Sequence, residues 1–379
     1  MKIIIAPDSF KGSLSATEVA EAIADGILRA SSETECVLIP LADGGEGTVE
    51  ALVKATSGRI VQQLATGPMG NRIDSFFGLL GDGATAVIEM AAASGLPLIP
   101  EDQRNPMVTT SFGAGELIRA ALDIGCRKLI LGIGGSATND GGIGTIQALG
   151  GKFLDQDGVE VGFGGKELAR IVSIDLSELD SRLKETDITV ASDVDNPLTG
   201  DRGASAVFGP QKGATPEMIN LLDAGLANLA EVIRRDLGVD IEFMPGAGAA
   251  GGLGGGTIAF LNAKLRPGIQ IVLDATRFRE HLAGCDLVIT GEGRIDSQTL
   301  HGKTISGVLL AALAKGVPVL ALAGSVDPSG YELIDHGALA LLSITDKPMN
   351  LQEAQSHAEE LLSRVAEQAF RLFAGGTAY

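Results

Sequence analysis

A chain of 379 residues is too long for one simple core, so roughly two domains are expected. The formal net charge of -19 excludes a nucleic-acid or anionic-membrane surface, but not a local phosphate pocket built from backbone amides and a few Lys or Arg. Cys36, Cys126 and Cys285 are odd in number and show no CxxC spacing, which excludes a disulfide framework and fits a reducing compartment. Aromatics make up only 4%, whereas Gly reaches 52 residues, clustered between apolar runs, where backbone can approach a ligand closely.

In chain order, Ile3–Ile5 reads as a buried strand followed by an acidic loop, not as a signal peptide. Ser15 and Glu18 form a capping box for a helix whose face carries Val19, Ile23 and Ile27. Val37–Ile39 is a second strand. Leu117, Ile118, Ala121 and Leu122 predict a helix closed by Gly125, before a strand at Leu129–Leu131. Residues 151–165 read as a hairpin turning at Asp157-Gly158. Ile188–Val190 is another strand, and 246–256 is a stretch of nearly all small residues. Leu287–Ile289, Val319–Ala321 and Leu339–Leu342 are further strands. Ile305, Val308, Leu309 and Ala312 lie on a helix between them, closed by Gly316. Leu351, Ala354, Leu361, Val365 and Ala369 continue at helical spacing toward the C-terminus.

These apolar runs do not alternate with polar residues, as strands covered on both faces do not, and such strands belong to parallel sheets. Strand–helix alternation means an α/β protein. We expect one α/β domain with a doubly wound, mainly parallel sheet from residues 1–70 plus 275–379. Residues 71–274 are expected to form a second, inserted α/β domain. No apolar stretch reaches the ~18 to 20 residues of a membrane helix, so a cytoplasmic protein is expected.

Ligands of doubly wound sheets bind beyond the carboxyl ends of the strands. The segments found there are Pro7–Ser13, Asp43–Thr48, Gly132–Gly142, Asp193–Pro197 and Gly291–Asp296. Each carries glycine, carboxylate or both. A lone Asp there is adequately explained as a helix cap. Capping requires neither the glycine pairs nor the second carboxylates of Asp193/Asp195 and Glu292/Asp296. Paired carboxylates suit Mg²⁺ and a hydroxyl-activating base, and glycine loops before helices suit phosphates. The combination favours phosphoryl transfer.

Competing motifs are weaker. Gly302-Lys303-Thr304 imitates the end of a P-loop, but Ser297 stands where its first glycine belongs. Gly246–Gly251 fits G-x-G-x-x-G, and a strand-like run, Ile269–Leu273, leads to Asp274, so an NAD-dependent dehydrogenase is an alternative. No firm apolar strand precedes those glycines, which favours a small-residue packing role. The four histidines lack metal-ligand spacing, and no G-x-S-x-G occurs. A sugar-acid or nucleotide sensor without chemistry is the remaining alternative, and the intact acid pairs argue against it.

Taken together, APDSFKGS (6–13), PLADGGEGT (40–48), EMAAASGL (89–96), GIGGSATNDGG (132–142), ASDVDNPL (191–198), VFGPQKGA (207–214), GAGAAGGLG (246–254) and ITGEGRIDSQTLHGK (289–303) resemble the bacterial glycerate kinases. Phe112, Ala114 and Ser192 depart from the usual pattern without touching a carboxylate or a phosphate-type loop. The resemblance implies transfer from ATP to D-glycerate with Mg²⁺, more often at the 2-hydroxyl than the 3-hydroxyl, in a cleft between two α/β domains.

It also suggests roles for particular residues. Gly134, Gly135 and Ser136, with Thr138, Asn139 and Asp140, are candidates for the ATP phosphates, as the opening of a helix after Asp140. Asp193 and Asp195 are candidates for Mg²⁺. Lys11 and Lys303 are point cations for phosphate, and Arg294 is a bidentate partner for the glycerate carboxylate. Asp296 or Asp8 is the base. Asp43 and Glu46 lie on the substrate side, as metal ligands or loop organisers. The plainest alternatives are helix capping for Asp8 and Asp43 and a surface cation for Lys11.

Overall fold

The computed structural model describes residues 1–42, 44–45, 47–300 and 304–376. In chain order the strands are β1 (Lys2–Ile5), β2 (Glu35–Leu38), β3 (Arg59–Thr66), β4 (Arg72–Leu79), β5 (Thr85–Glu89) and β6 (Lys128–Gly132). They continue as β7 (Lys152–Leu154), β8 (Ser173–Asp175), β9 (Asp187–Ala191), β10 (Lys264–Arg266), β11 (Leu287–Ile295), β12 (Val319–Val326) and β13 (Ala340–Ser343). The chain divides into two compact units. One is Met1–Asp43, Glu50–Ser57 and Ile269–Tyr379; the other is Gly44–Val49 and Gly58–Gly268. Besides the short excursion of Gly44–Val49, the chain passes into the second unit at 57/58, where a boundary near residue 70 was expected, because β3 pairs with β4 along its whole length and so belongs to the second unit's sheet.

The first unit is a five-stranded sheet of order β13-β12-β11-β1-β2, parallel throughout. Successive side chains of a strand face opposite sides. Ile3 and Ile5 of β1 therefore join one core layer, with Val19, Ile23 and Ile27 of the helix Ala16–Ala30 and Leu361, Leu362 and Phe370 of the helix Ala358–Gly376. Ile4 is also wholly buried, on the other face. This two-sided burial is why the strand reads as an unbroken apolar run. Ser15 caps the helix Ala16–Ala30 as expected: its hydroxyl accepts from the Glu18 N–H, and the Glu18 carboxylate accepts from the Ser15 N–H at 2.8 Å.

The second unit carries a six-stranded sheet, β10-β9-β6-β5-β4-β3. Its first four strands are parallel, and β4 pairs antiparallel with both β5 and β3. The tight turn at Asp157-Gly158 forms: the Asp155 carboxylate accepts from the N–H groups of Asp157 and Val159. Its return arm contributes only a bridge, Leu154 to Glu160, and β7 instead pairs with β8. Ile269–Leu273 is a correction. It lies in a helix, Gly268–Ala275, and Asp274 is ion-paired with Arg279, so the ribose-acid geometry of a dinucleotide fold is absent from that segment. The small residues 246–252 instead brace backbone against backbone. A Cβ on Gly251 would lie 2.0 Å from the Thr138 carbonyl oxygen, and the Gly141 N–H donates to the Gly251 carbonyl at 3.0 Å. Among the described residues no helix is long and apolar enough to cross a membrane.

Gly26 shows how closely the two helices of the first unit's core layer approach. A Cβ there would stand 2.1 Å from the Ser363 carbonyl oxygen. Gly→Ala inside a helix ordinarily stabilises by about 1 kcal/mol. Here Gly26→Ala is expected to destabilise by about 1–3 kcal/mol through overpacking. Urea denaturation followed by circular dichroism checks the sign; an unchanged or raised midpoint would contradict the close helix contact.

Candidate active site

The first unit's sheet, renumbered by its own strands, has the order 2-1-3-4-5. Strand order in such sheets reverses at one point, and the crevice beyond the carboxyl ends there is where ligands bind. In this unit the reversal falls between β1 and β11, which are neighbours in register Ile3 with Leu287. A cavity of about 530 Å³ opens there. Its polar wall is Asp8 and Lys11, which follow β1, and Glu292, Arg294 and Asp296, at the end of β11. Its apolar wall includes Phe10, Ile344, Leu351, Ala354 and Ala358.

The polar wall is tied together by directed bonds. The buried Asp8 carboxylate accepts from the Ser9 N–H at 2.6 Å through Oδ1 and from the Thr304 hydroxyl at 2.5 Å through Oδ2. Glu292 accepts from the Thr299 hydroxyl at 2.6 Å, and the Asp296 N–H donates to the same hydroxyl oxygen at 3.2 Å. Thr299 thereby holds the two carboxylate-bearing residues in a fixed relation. Arg294 is largely exposed, ion-paired to Asp327 at 2.5 Å and 3.7 Å from Asp296. Exposed pairs of this kind are worth only about 0–1 kcal/mol, so its guanidinium can exchange Asp327 for an incoming carboxylate at low cost.

The second unit gathers a different set of groups at the carboxyl ends of β6 and β9. Gly132–Ser136 leaves β6 as a tight loop in which Gly135 has φ +71°. Gly44 and Gly45 lie against it: a Cβ on Gly132 would meet the Gly44 carbonyl oxygen at 2.6 Å. Gly134 and Gly135 are exposed, and among the described residues the N–H groups of Gly134, Gly135 and Ser136 have no hydrogen-bond partner. Beneath the loop lies Lys212, wholly buried, whose ammonium donates to Ser136 Oγ at 2.8 Å and to the Thr138 carbonyl at 2.7 Å. Burial pushes its pKa down to about 7, against the pull of the Asp140 carboxylate.

A sequence model of the glycerate kinase family matches residues 3–374. The chain is 56% identical over 366 residues to a glycerate kinase of Bacillus subtilis, covering 97% of this chain and 96% of that one. It is 52% identical over 366 residues to the glycerate 2-kinase of Escherichia coli, at the same coverage. A solved structure from Salmonella typhimurium LT2, of a protein assigned as glycerate kinase 2, superposes with a TM-score of 0.92 at 52% identity, over 100% of both chains. The chain belongs to the glycerate kinase family. It is therefore a phosphotransferase acting on an alcohol group.

Of the residues singled out for such a kinase, Asp8, Lys11, Arg294 and Asp296 line one cavity. Asp8 is not the cap of the first helix, since Ser15 fills that position. Asp43, Glu46 and Lys303 lie outside the described residues. In the second unit the expectation needs correction. The helix after the glycine loop begins only at Ile143, so Gly134–Ser136 do not open it. Asp140 faces inward. It is wholly buried and accepts from the N–H and hydroxyl of Ser111 at 2.8 and 2.9 Å and from the Gly142 N–H at 3.1 Å. Burial raises its pKa, and these bonds oppose that. Asn139 is likewise buried and donates to Ser205 Oγ. Asp195 is exposed and paired with Arg202 at 3.0 Å, while Asp193 accepts from the Gly268 N–H at 3.0 Å.

Lys212 was missed because a lysine in a polar-looking segment reads as a surface charge. The only sequence signal near it is local: Gly209, Pro210 and Gly213 shape the short turn that carries it. Its titration yields a stability prediction. The folded pKa, about 7, lies below the ordinary lysine value of 10.5, so the unfolded chain holds more protons between those values and stability rises with pH across that window. The rise is at most about 1.4 kcal/mol per pH unit. Urea midpoints of wild type and Lys212→Met, compared from pH 6.5 to 9.5, should converge at the alkaline end. Parallel curves would show that the lysine is not buried as a suppressed cation.

Proposed function

We propose that this chain transfers the γ-phosphoryl group of ATP to the 2-hydroxyl of D-glycerate, giving ADP and 2-phosphoglycerate, with Mg²⁺. The observation that carries the reading is the first unit's cavity, where Asp8, Glu292 and Asp296 face Lys11 and Arg294 at the reversal of strand order. A small hydroxy acid needs a cation for its carboxylate and a carboxylate for its hydroxyl proton, and this wall presents both. Arg294 takes the glycerate carboxylate in place of Asp327. Asp296 accepts the hydroxyl proton as the oxygen attacks phosphorus, with Asp8, whose two oxygens already accept from Ser9 and Thr304, as the second candidate. Lys11 balances the charge of the transferred group. The name of the Escherichia coli relative supports the 2-position.

The glycine loop of the second unit suits ATP phosphates through its three unpartnered N–H groups. Mg²⁺ is held in such enzymes by one or two carboxylates plus the nucleotide phosphates, and it neutralises the charge developing on them. Among the described residues no group of three or more His, Cys, Asp or Glu could hold a metal ion, so a cation that comes with its nucleotide fits better than a resident one. Asp193, on the same sheet edge as the glycine loop, is the ligand we propose. Asp195 would first have to leave Arg202.

Incubation with ATP, Mg²⁺ and D-glycerate should release ADP, and phosphorus NMR should show 2-phosphoglycerate. A 3-phosphoglycerate signal would overturn the position, and no ADP would overturn the substrate. Asp296→Asn should lower kcat by about 10²–10⁴-fold, the usual contribution of a positioned base, with ATP affinity retained. Near wild-type turnover would exclude Asp296 and pass the role to Asp8.

A further inference from the structure

We infer that Lys212 is a positioning residue for the nucleotide's phosphates, holding the Gly134–Thr138 loop from beneath so that the Ser136 hydroxyl must donate outward to a bound phosphate oxygen. The inference rests on the reading above that this loop takes the phosphates of ATP.

The argument begins with hydrogen-bond polarity. In its ammonium form, which a bound anion favours, the lysine has donors only. Ser136 Oγ is therefore the acceptor in its 2.8 Å bond to Lys212, and its single proton is left to donate elsewhere. Among the described residues that hydroxyl has no further partner. The lysine's second bond, to the Thr138 carbonyl, spans the loop, so one cation ties two of its residues together. The same loop presents the unpartnered N–H groups of Gly134, Gly135 and Ser136. Donors from three amides and one hydroxyl, with a buried positive charge below, are complementary to a tetrahedral anion.

The lysine is held in place by its backbone. The Lys212 N–H donates to the Gly209 carbonyl at 2.9 Å. Gly213, at φ +87°, presses so closely on Arg104 that a Cβ there would lie 2.2 Å from the Arg104 carbonyl oxygen. The side chain is 1% exposed, whereas lysines usually reach solvent. Among the described residues it forms no ion pair, and Asp140 spends its carboxylate on Ser111 and Gly142. A desolvated cation without a close countercharge is costly, and an anion arriving above the loop would supply that countercharge. A lysine placed only for packing would be better served by a methionine.

The test compares ligands that differ only in phosphate. Isothermal titration calorimetry of the full chain with pyrophosphate, ADP, adenosine and D-glycerate is run on wild type, Lys212→Met and Ser136→Ala. Both variants should bind pyrophosphate and ADP about tenfold or more weakly, the loss expected for one charge-assisted bond, with adenosine and glycerate unchanged. Equal losses for adenosine, or no loss for any ligand, would overturn the inference. A loss confined to glycerate would also overturn it, by assigning the loop to the acceptor. Should Lys212→Met fail to fold, Ser136→Ala decides alone, since it leaves the lysine and the loop backbone in place. Failure of the glycerate-kinase reading would show separately, as wild-type protein that binds pyrophosphate but releases no ADP with glycerate.

Discussion

Parallel strand pairing is the constraint from which the rest of this molecule follows. A parallel neighbour can be reached only by a crossover, so every crossover begins at the carboxyl end of one strand. Loops that leave parallel strands therefore accumulate along one edge of each sheet. In the first unit that edge carries the loops after β1, β11, β12 and β13, and the reversal of order between β1 and β11 opens a gap that no crossover covers. Asp8, Lys11, Glu292, Arg294 and Asp296 share a cavity although nearly 300 positions separate the first from the last in sequence, because β1 and β11 are hydrogen-bonded neighbours. In the second unit the same rule sets Gly132–Ser136 beside Asp193, through the pairing of β6 with β9.

The two candidate regions use charge in opposite ways. Arg294 lies in solvent and is paired to acids that it can trade for others, so its electrostatics are cheap to form and cheap to rearrange. Lys212 and Asp140 are buried, and their geometry is set by neutral hydrogen-bonding groups rather than by each other. Rearranging them would leave a buried polar group without a partner, at a cost of about 1–3 kcal/mol or more each. The first arrangement suits a group that must exchange partners when substrate arrives. The second suits a loop that must keep one shape.

Glycine serves the second arrangement. Gly251 and Gly252 let the 246–252 segment lie directly on the backbone of Thr138–Gly141, and Gly132 and Gly134 do the same for Gly44 and Gly45. Three segments remote in sequence thus meet as bare backbone, which fixes the loop without spending side chains on it. The G-x-G-x-x-G spacing at Gly246 is a consequence of this packing, and a strand-like run of apolar residues after it, Ile269–Leu273, turned out to be a helix that buries Ile269 and Val272.

The amino-acid sequence by itself determined the α/β class, the strands of the first unit's parallel sheet with β6 and β9 of the second, the capped first helix and the family. Each of these depends on local pattern: unbroken apolar runs where both faces are covered, a capping box, and motif blocks in order. Strands β3 and β4 escaped notice because each has a partly exposed face, so polar residues interrupt the run. The strand-end acids of the first unit were legible as chemistry. Which of them share a cavity was decided only by the strand order. Only the tertiary structure turned Asp140 and Asn139 inward, moved the helix start from the glycine loop to Ile143, and placed Lys212 beneath that loop. The physical reason is common to all three. Burial and hydrogen-bond direction depend on neighbours that lie tens of residues away, and neither residue type nor spacing along the chain encodes them.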